Sequence, residues 1–171
     1  TPAAANPKAA DSTSREREKL FVGWPAPKAA IVISGMLEGH IEPCGCTGLT
    51  NQKGGLMRRH TLIKQIAADW KCNVLPIDVG GHVNRTGRQA EIKFQRMVDA
   101  YKAMSYQAVA LGPTELRLSA GELYTAIAGS EGKTPFVSAN VGVFGFEAEG
   151  VPPFRVVETG GLRIGMTTVL G

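Results

Sequence analysis

The sequence predicts an α/β domain: a mainly parallel sheet with helices on its faces. Three observations predict this class. Short apolar runs of strand length alternate with longer stretches whose apolar residues recur at helical spacing. The elements read β, α, β, α, β, α, β and then a β-hairpin, an alternation that favours parallel pairing through helical crossovers. The 171 residues, 43% apolar and 20% charged, are enough for one domain with a sizeable core.

Each element has its own signal. Residues 1–19 (TPAAANPKAADSTSREREK) are rich in Ala, Pro, Ser and charge. They cannot bury a core face and are predicted to form a flexible leader or tether, with the domain occupying 20–171. The start at Thr1 fits a cleaved targeting segment or a trimmed chain. Ala29 to Ser34 (AAIVIS) reads as a buried strand, followed by a Gly- and Cys-rich loop from Gly35 to Gly55. Leu56, Arg59, Ile63, Ile66 and Trp70 form a mainly apolar helical stripe. Asn73 to Val79 is the second strand. Thr86-Gly-Arg-Gln89 has the form of a capping box opening the next helix, whose stripe is Ile92, Phe94, Met97, Val98, Tyr101 and Met104. Gln107 to Leu111 is the third strand. Ser119-Ala-Gly-Glu122 is a second capping box, and Phe136 to Val141 a fourth strand. Phe154 to Glu158 and Leu162 to Val169 pair as a hairpin across Thr159-Gly160-Gly161.

The net charge is +4, but its lysines (Lys8, Lys28, Lys71, Lys93, Lys133) are spread along the chain. No basic stripe is interleaved with aromatics, which argues against nucleic acid as a partner. No apolar run approaches the length of a bilayer span. In an open α/β sheet a ligand sits beyond the carboxyl ends of the strands, so the segments to interrogate are 35–52, 80–88 and 112–118.

Five segments in order resemble the calcineurin-like metallophosphoesterase superfamily, in its 5′-nucleotidase branch. IVISGMLEGH is similar to the strand bearing an Asp-x-His pair followed by Gly-His. LPIDVGGHV is similar to the strand leading to Gly-Asp, and YQAVALGPTEL to the segment ending Gly-Asn-His-Glu. PFVSANV and the hairpin ending LRIGMTTVLG follow as in that branch. The resemblance covers 28–171 and implies the N-terminal half of a metallophosphoesterase sandwich. It also implies a two-cation centre that clamps phosphate and activates water. Here the aligned ligand positions depart from the pattern. The metal-binding Asp falls on Met36 and its His partner on Glu38. The bridging Asp becomes Gly81, and the Asn-His pair becomes Pro113-Thr114. Only Glu38 offers a hard-cation donor. His40, Asp78 and His82 are the groups from which a site could be rebuilt, against a structural or solvent-facing role for each. The remaining histidines of the related centre come from a second half that the resemblance places beyond Gly171. The alignment therefore implies a relic fold without the hydrolytic centre and with no cofactor, or, alternatively, a phosphoesterase whose rearranged ligands hold zinc or another divalent metal.

The loop Gly39-His-Ile-Glu-Pro-Cys-Gly-Cys46, then Gln52 and Gly54-Gly-Leu-Met-Arg-Arg59, resembles an exported Pro-Cys-Gly-Cys subgroup of these proteins. That resemblance implies an outer-face or periplasmic location, membrane association through a tether or partner, and protein partners in an envelope complex that include c-type cytochromes. Cys44 and Cys46 are too close for an unstrained mutual disulfide. They and His40 could hold a soft metal, with Cys72 as a fourth ligand, which makes a metal or redox module a further reading. The alternative is a disulfide from Cys72 to Cys44 or Cys46, leaving one of the three cysteines over. Cys-x-x-Cys-His is absent, so covalent haem of the usual kind is not expected. The expected docking surface is this loop, with Glu42, Pro43, Gln52, Arg58 and Arg59. The first reading of function is a non-catalytic accessory or interaction subunit.

Overall fold

In the computed structural model the described residues are 23–43, 48, 52, 54–128, 134–142 and 150–171. The predicted leader 1–19, the domain start at Leu20, and Cys44 and Cys46 lie outside them. The element order is β1 (Ala29–Ser34), α1 (Leu56–Trp70), β2 (Asn73–Asp78), α2 (Arg88–Ala103), β3 (Ala108–Val109), a 3-10 turn (Glu115–Arg117), α3 (Ala120–Ala128), β4 (Arg155–Thr159) and β5 (Leu162–Met166). β1, β2 and β3 form a parallel sheet in that order, and β4 and β5 form an antiparallel hairpin. The predicted α/β class and the parallel sheet flanked by helices are what the structure shows. None of its helices is long and apolar enough to cross a membrane among the described residues.

Register explains the central strand. Ile77 pairs with Ala108, so β3 begins one residue past Pro76. A proline in a paired strand normally costs a ladder bond. Here its carbonyl accepts from Gln107 N–H at 2.9 Å, and the missing donor falls before β3 starts. The core lies between the sheet and α2, whose Phe94, Met97, Val98 and Tyr101 are buried. Each such side chain contributes about 1.5–3 kcal/mol of burial. Ile92, assigned to the same stripe by the sequence, is instead 46% exposed.

Five sequence expectations are corrected. The first strand, expected to be buried, has no buried residue, and its Ile31 and Ile33 are exposed. The third strand shrinks to Ala108–Val109. The fourth, expected over Phe136 to Val141, is a single parallel bridge from Phe136 to Val109. Past Val137 the chain leaves the sheet, because Ser138 N–H goes to the Pro152 carbonyl and Ala139 N–H to that of Thr168. The Thr86 capping box does not form: Gly87 occupies the cap with an extended ψ, and no side chain caps α2. At α3, Ser119 does accept from Glu122 N–H at 3.4 Å, but the Glu122 carboxylate turns to Arg88 at 2.8 Å instead of completing the box.

The hairpin is tied to the sheet at both ends. Arg155 donates to the carbonyls of Gln107 and Thr134, and the Thr168 hydroxyl donates to that of Val137. Its turn is Gly160-Gly161, with φ of 57° and 73°, the left-handed pair that a two-residue hairpin loop demands. A Cβ on Gly160 would stand 2.2 Å from the Lys28 carbonyl oxygen, whereas one on Gly161 meets nothing within 4 Å. Gly160→Ala is therefore expected to destabilise the fold by about 2–3 kcal/mol and Gly161→Ala by about 1 kcal/mol. Thermal melts of the two variants side by side check the difference.

Candidate functional site

The carboxyl ends of the three parallel strands bring together the segments the sequence singled out. The loop after β1 is zipped to the loop after β2 by Met36 N–H to Gly80 O (2.8 Å), Glu38 N–H to Gly81 O (2.9 Å) and Gly39 N–H to His82 O (2.6 Å). To make these bonds Met36 and Glu38 adopt φ of 52° and 50°, a region side-chain-bearing residues seldom enter. Gly80 and Gly81 in turn pack against Gly112 after β3. The aligned ligand positions Met36, Glu38 and Gly81 thus share one surface, as the resemblance requires, next to the loop that bears Pro113 and Thr114.

The donors on that surface do not fit a two-cation centre. Met36 is 74% exposed and brings only a thioether. Glu38 and His40 are exposed, and His40 Nδ1 lies 3.0 Å from the Leu37 carbonyl. A side chain at Gly81 would be crowded and strained: its Cβ would lie 3.2 Å from Met36 Cα, on a φ of 74°. Among the described residues no three His, Cys, Asp or Glu side chains cluster to hold a metal.

His82, offered by the sequence as a rebuilt ligand, is taken up elsewhere. It is fully buried. Nε2–H donates to the Ala110 carbonyl at 2.9 Å, and Nδ1 lies 2.8 Å from the Tyr101 hydroxyl. Asp78 lies beside it, with Oδ1 3.6 Å from Nδ1. The Asp78 carboxylate is 1% exposed and hydrogen-bonded on both oxygens. Oδ1 accepts from Gly80 N–H at 3.0 Å, and Oδ2 from the Ser34 hydroxyl at 2.7 Å and Arg59 Nη1 at 3.1 Å. Arg59 also reaches Ser34 Oγ and the Tyr106 hydroxyl. The helical stripe of α1 carries Arg59 inward at an otherwise apolar position. Burial works against its charge, but Tyr106, Tyr101 and Asp78 together raise its pKa. Burial, followed by the charge of Asp78, pushes the Tyr101 phenol upward, so it remains a neutral donor.

A second buried carboxylate, missed by the sequence reading, braces the strand ends. Glu115 is 0% exposed. Oε1 accepts from His82 N–H (2.7 Å), Val83 N–H (3.1 Å) and the Thr114 hydroxyl (3.0 Å), and Oε2 from Gly112 N–H (2.7 Å). Burial alone would raise its pKa. His82, the two backbone donors and the hydroxyl outweigh it, and the net shift is downward. Its signal in the sequence was the retained final Glu of the Gly-Asn-His-Glu-like segment.

Of the expected docking residues, Glu42, Arg58 and Arg59 line one open recess of ≈ 790 Å³ with His40, Met36 and Leu62. Arg59 is committed to Asp78, and Arg58 donates to the Gln52 carbonyl. Pro43 packs under Gly55, where a Cβ would meet its ring at 2.8 Å. Cys72 precedes β2, at the opposite end of the sheet from the loop leading to Cys44 and Cys46. It carries no disulfide among the described residues.

The fold and the strand-end geometry define the class: the N-terminal part of a 5′-nucleotidase-type metallophosphoesterase fold. No protein-family model and no curated protein matches the sequence. Among solved structures, the chain is similar to the 5′-nucleotidase precursor from Thermus thermophilus, at 27% identity and a TM-score of 0.63, over 82% of this chain and 28% of that one. It is similar to the NAD nucleotidase of Haemophilus influenzae at 16% identity and TM-score 0.62, over 82% of this chain and 26% of that one. The sulfate thiohydrolase SoxB of Thermus thermophilus follows at 13% and 0.61, over 85% and 36%. The chain thus spans about a third or less of each. These likenesses support the superfamily that the sequence motifs resemble.

Proposed function

We propose that this is a non-catalytic metallophosphoesterase-type domain, an accessory or interaction subunit of an exported assembly. The observation that carries this reading is the crowded, left-handed backbone at Gly81. Where the related centre has its bridging carboxylate, the Met36 backbone stands against a glycine in a left-handed conformation. The two buried acids do not compensate, since Asp78 and Glu115 are saturated by internal donors. The leader composition and the Pro-Cys-Gly-Cys resemblance support an outer-face location and a partner, with c-type cytochromes as the partner class the resemblance favours. The recess lined by His40, Glu42 and Arg58 is the docking face in this reading.

Hydrolysis of nucleoside monophosphates and of bis-p-nitrophenyl phosphate, with manganese or zinc supplied, is expected to stay at background. A two-cation centre gives at least about a millionfold acceleration, so its presence would not escape the assay. The likeness to the Thermus 5′-nucleotidase favours a second reading, a phosphoesterase with rearranged ligands. That reading requires metal-dependent turnover that disappears in Glu38→Ala or His40→Ala.

A further inference from the structure

The geometry points to a metal-independent binding site for a tetrahedral oxyanion, phosphate or sulfate, between the loops that follow β2 and β3. This goes beyond the proposed function, since it needs neither hydrolysis nor a cation. An open recess of ≈ 390 Å³ is lined by Asn84, Arg85, Thr86, Thr114 and Arg117. Among the described residues neither Arg85 nor Arg117 forms an ion pair, whereas the neighbouring Arg88 is held by Glu91 and Glu122. Glu115, next to Thr114 in the chain, is buried with its four donors in place. The recess therefore presents two uncompensated guanidinium groups, whose forked N–H pairs match an oxyanion's edges.

The uncharged groups agree. Thr86 has the sequence context of a helix cap, but α2 begins after Gly87 and no side chain caps it. Thr86 lines the recess instead. The first-turn N–H groups of Arg88 and Gln89, just beyond it, have no backbone partner among the described residues. Asn84 adds an amide donor. Thr114 donates to Glu115 and so contributes shape, not a proton.

Isothermal titration of the full chain, stripped with EDTA and held at low ionic strength, tests this with inorganic phosphate, sulfate and AMP. Phosphate and sulfate are expected to bind and to compete with one another. Arg85→Gln and Arg117→Gln should each weaken binding by about tenfold, the loss expected of a charge-assisted hydrogen bond, and the double variant should abolish it. Arg96→Gln, a charge change farther along α2 where Arg96 pairs with Asp99, should leave binding intact. Thr86→Val, which alters no charge, should weaken it. AMP that competes with phosphate identifies a phosphate ester as the source, and AMP that fails to compete identifies the free ion. The proposal is overturned if the wild-type chain binds neither anion, if the double variant, shown folded by circular dichroism, still binds, or if Arg96→Gln weakens binding as much as the site variants do.

Discussion

Arg59→Ala is expected to destabilise the domain by about 3–5 kcal/mol, the loss typical of stranding one partner of a buried ion pair. The two side chains are 17% and 0% exposed, so little water reaches the Asp78 carboxylate once the guanidinium is gone. Ser34 and Gly80 would still donate to it, but neither carries charge. Arg59→Met combined with Asp78→Leu is expected to recover part of the loss, because a pair of apolar groups leaves no buried charge. Recovery stays incomplete because Gly80 N–H and the hydroxyls of Ser34 and Tyr106 lose a partner. Urea unfolding of wild type, both single variants and the double variant measures the coupling directly. A loss below about 1 kcal/mol in Arg59→Ala, the worth of an exposed pair, would show that the network is open to solvent.

Glu115→Ala is expected to be at least as damaging, on the order of 4 kcal/mol. It strips the acceptor from three buried backbone N–H groups at once, each worth about 1–3 kcal/mol when left unsatisfied. Glu115→Gln is expected to cost less, because one oxygen survives while the amide nitrogen faces a donor. The same site predicts acid sensitivity. The folded chain holds this carboxyl below its ordinary value of 4.5. Its contribution to stability is therefore complete above that pH and is lost as pH falls through the lower folded value. Unfolding free energies measured from neutral pH down through this range should fall more steeply for wild type than for Glu115→Gln.

The parallel sheet was legible in the sequence because AAIVIS and NVLPID are apolar runs of strand length separated by a helical stripe, although only the second run has buried residues and Ile31 and Ile33 of the first stay exposed. The short third and fourth strands were not. Their residues are as apolar as the first two runs, and what ends them is a tertiary event: the Ser138 and Ala139 amides turn to Pro152 and Thr168. At the site, the alignment brought the right segments to one surface but weighed only residues that resembled ligands. Asp78, weighed as a group from which a ligand set could be rebuilt, is instead the hub of the buried network. Arg59 fell on an apolar stripe, and that misfit was its signal. Thr86 matched a cap motif that Gly87 pre-empts. Arg85 and Arg117 carried no local signal, because their meaning lies in two loops meeting across β2 and β3.

The buried network also governs how this sequence can drift. Arg59 on α1 and Asp78 on β2 share one charge balance, and neither can be exchanged alone without stranding the other away from water. Change at either position must therefore come paired, or pass through an intermediate that folds poorly. In a set of homologues, columns 59 and 78 should covary, with Ser34 and Tyr106 following the charge state of the pair. The exposed surface around Met36 and Glu38 is under no such joint constraint.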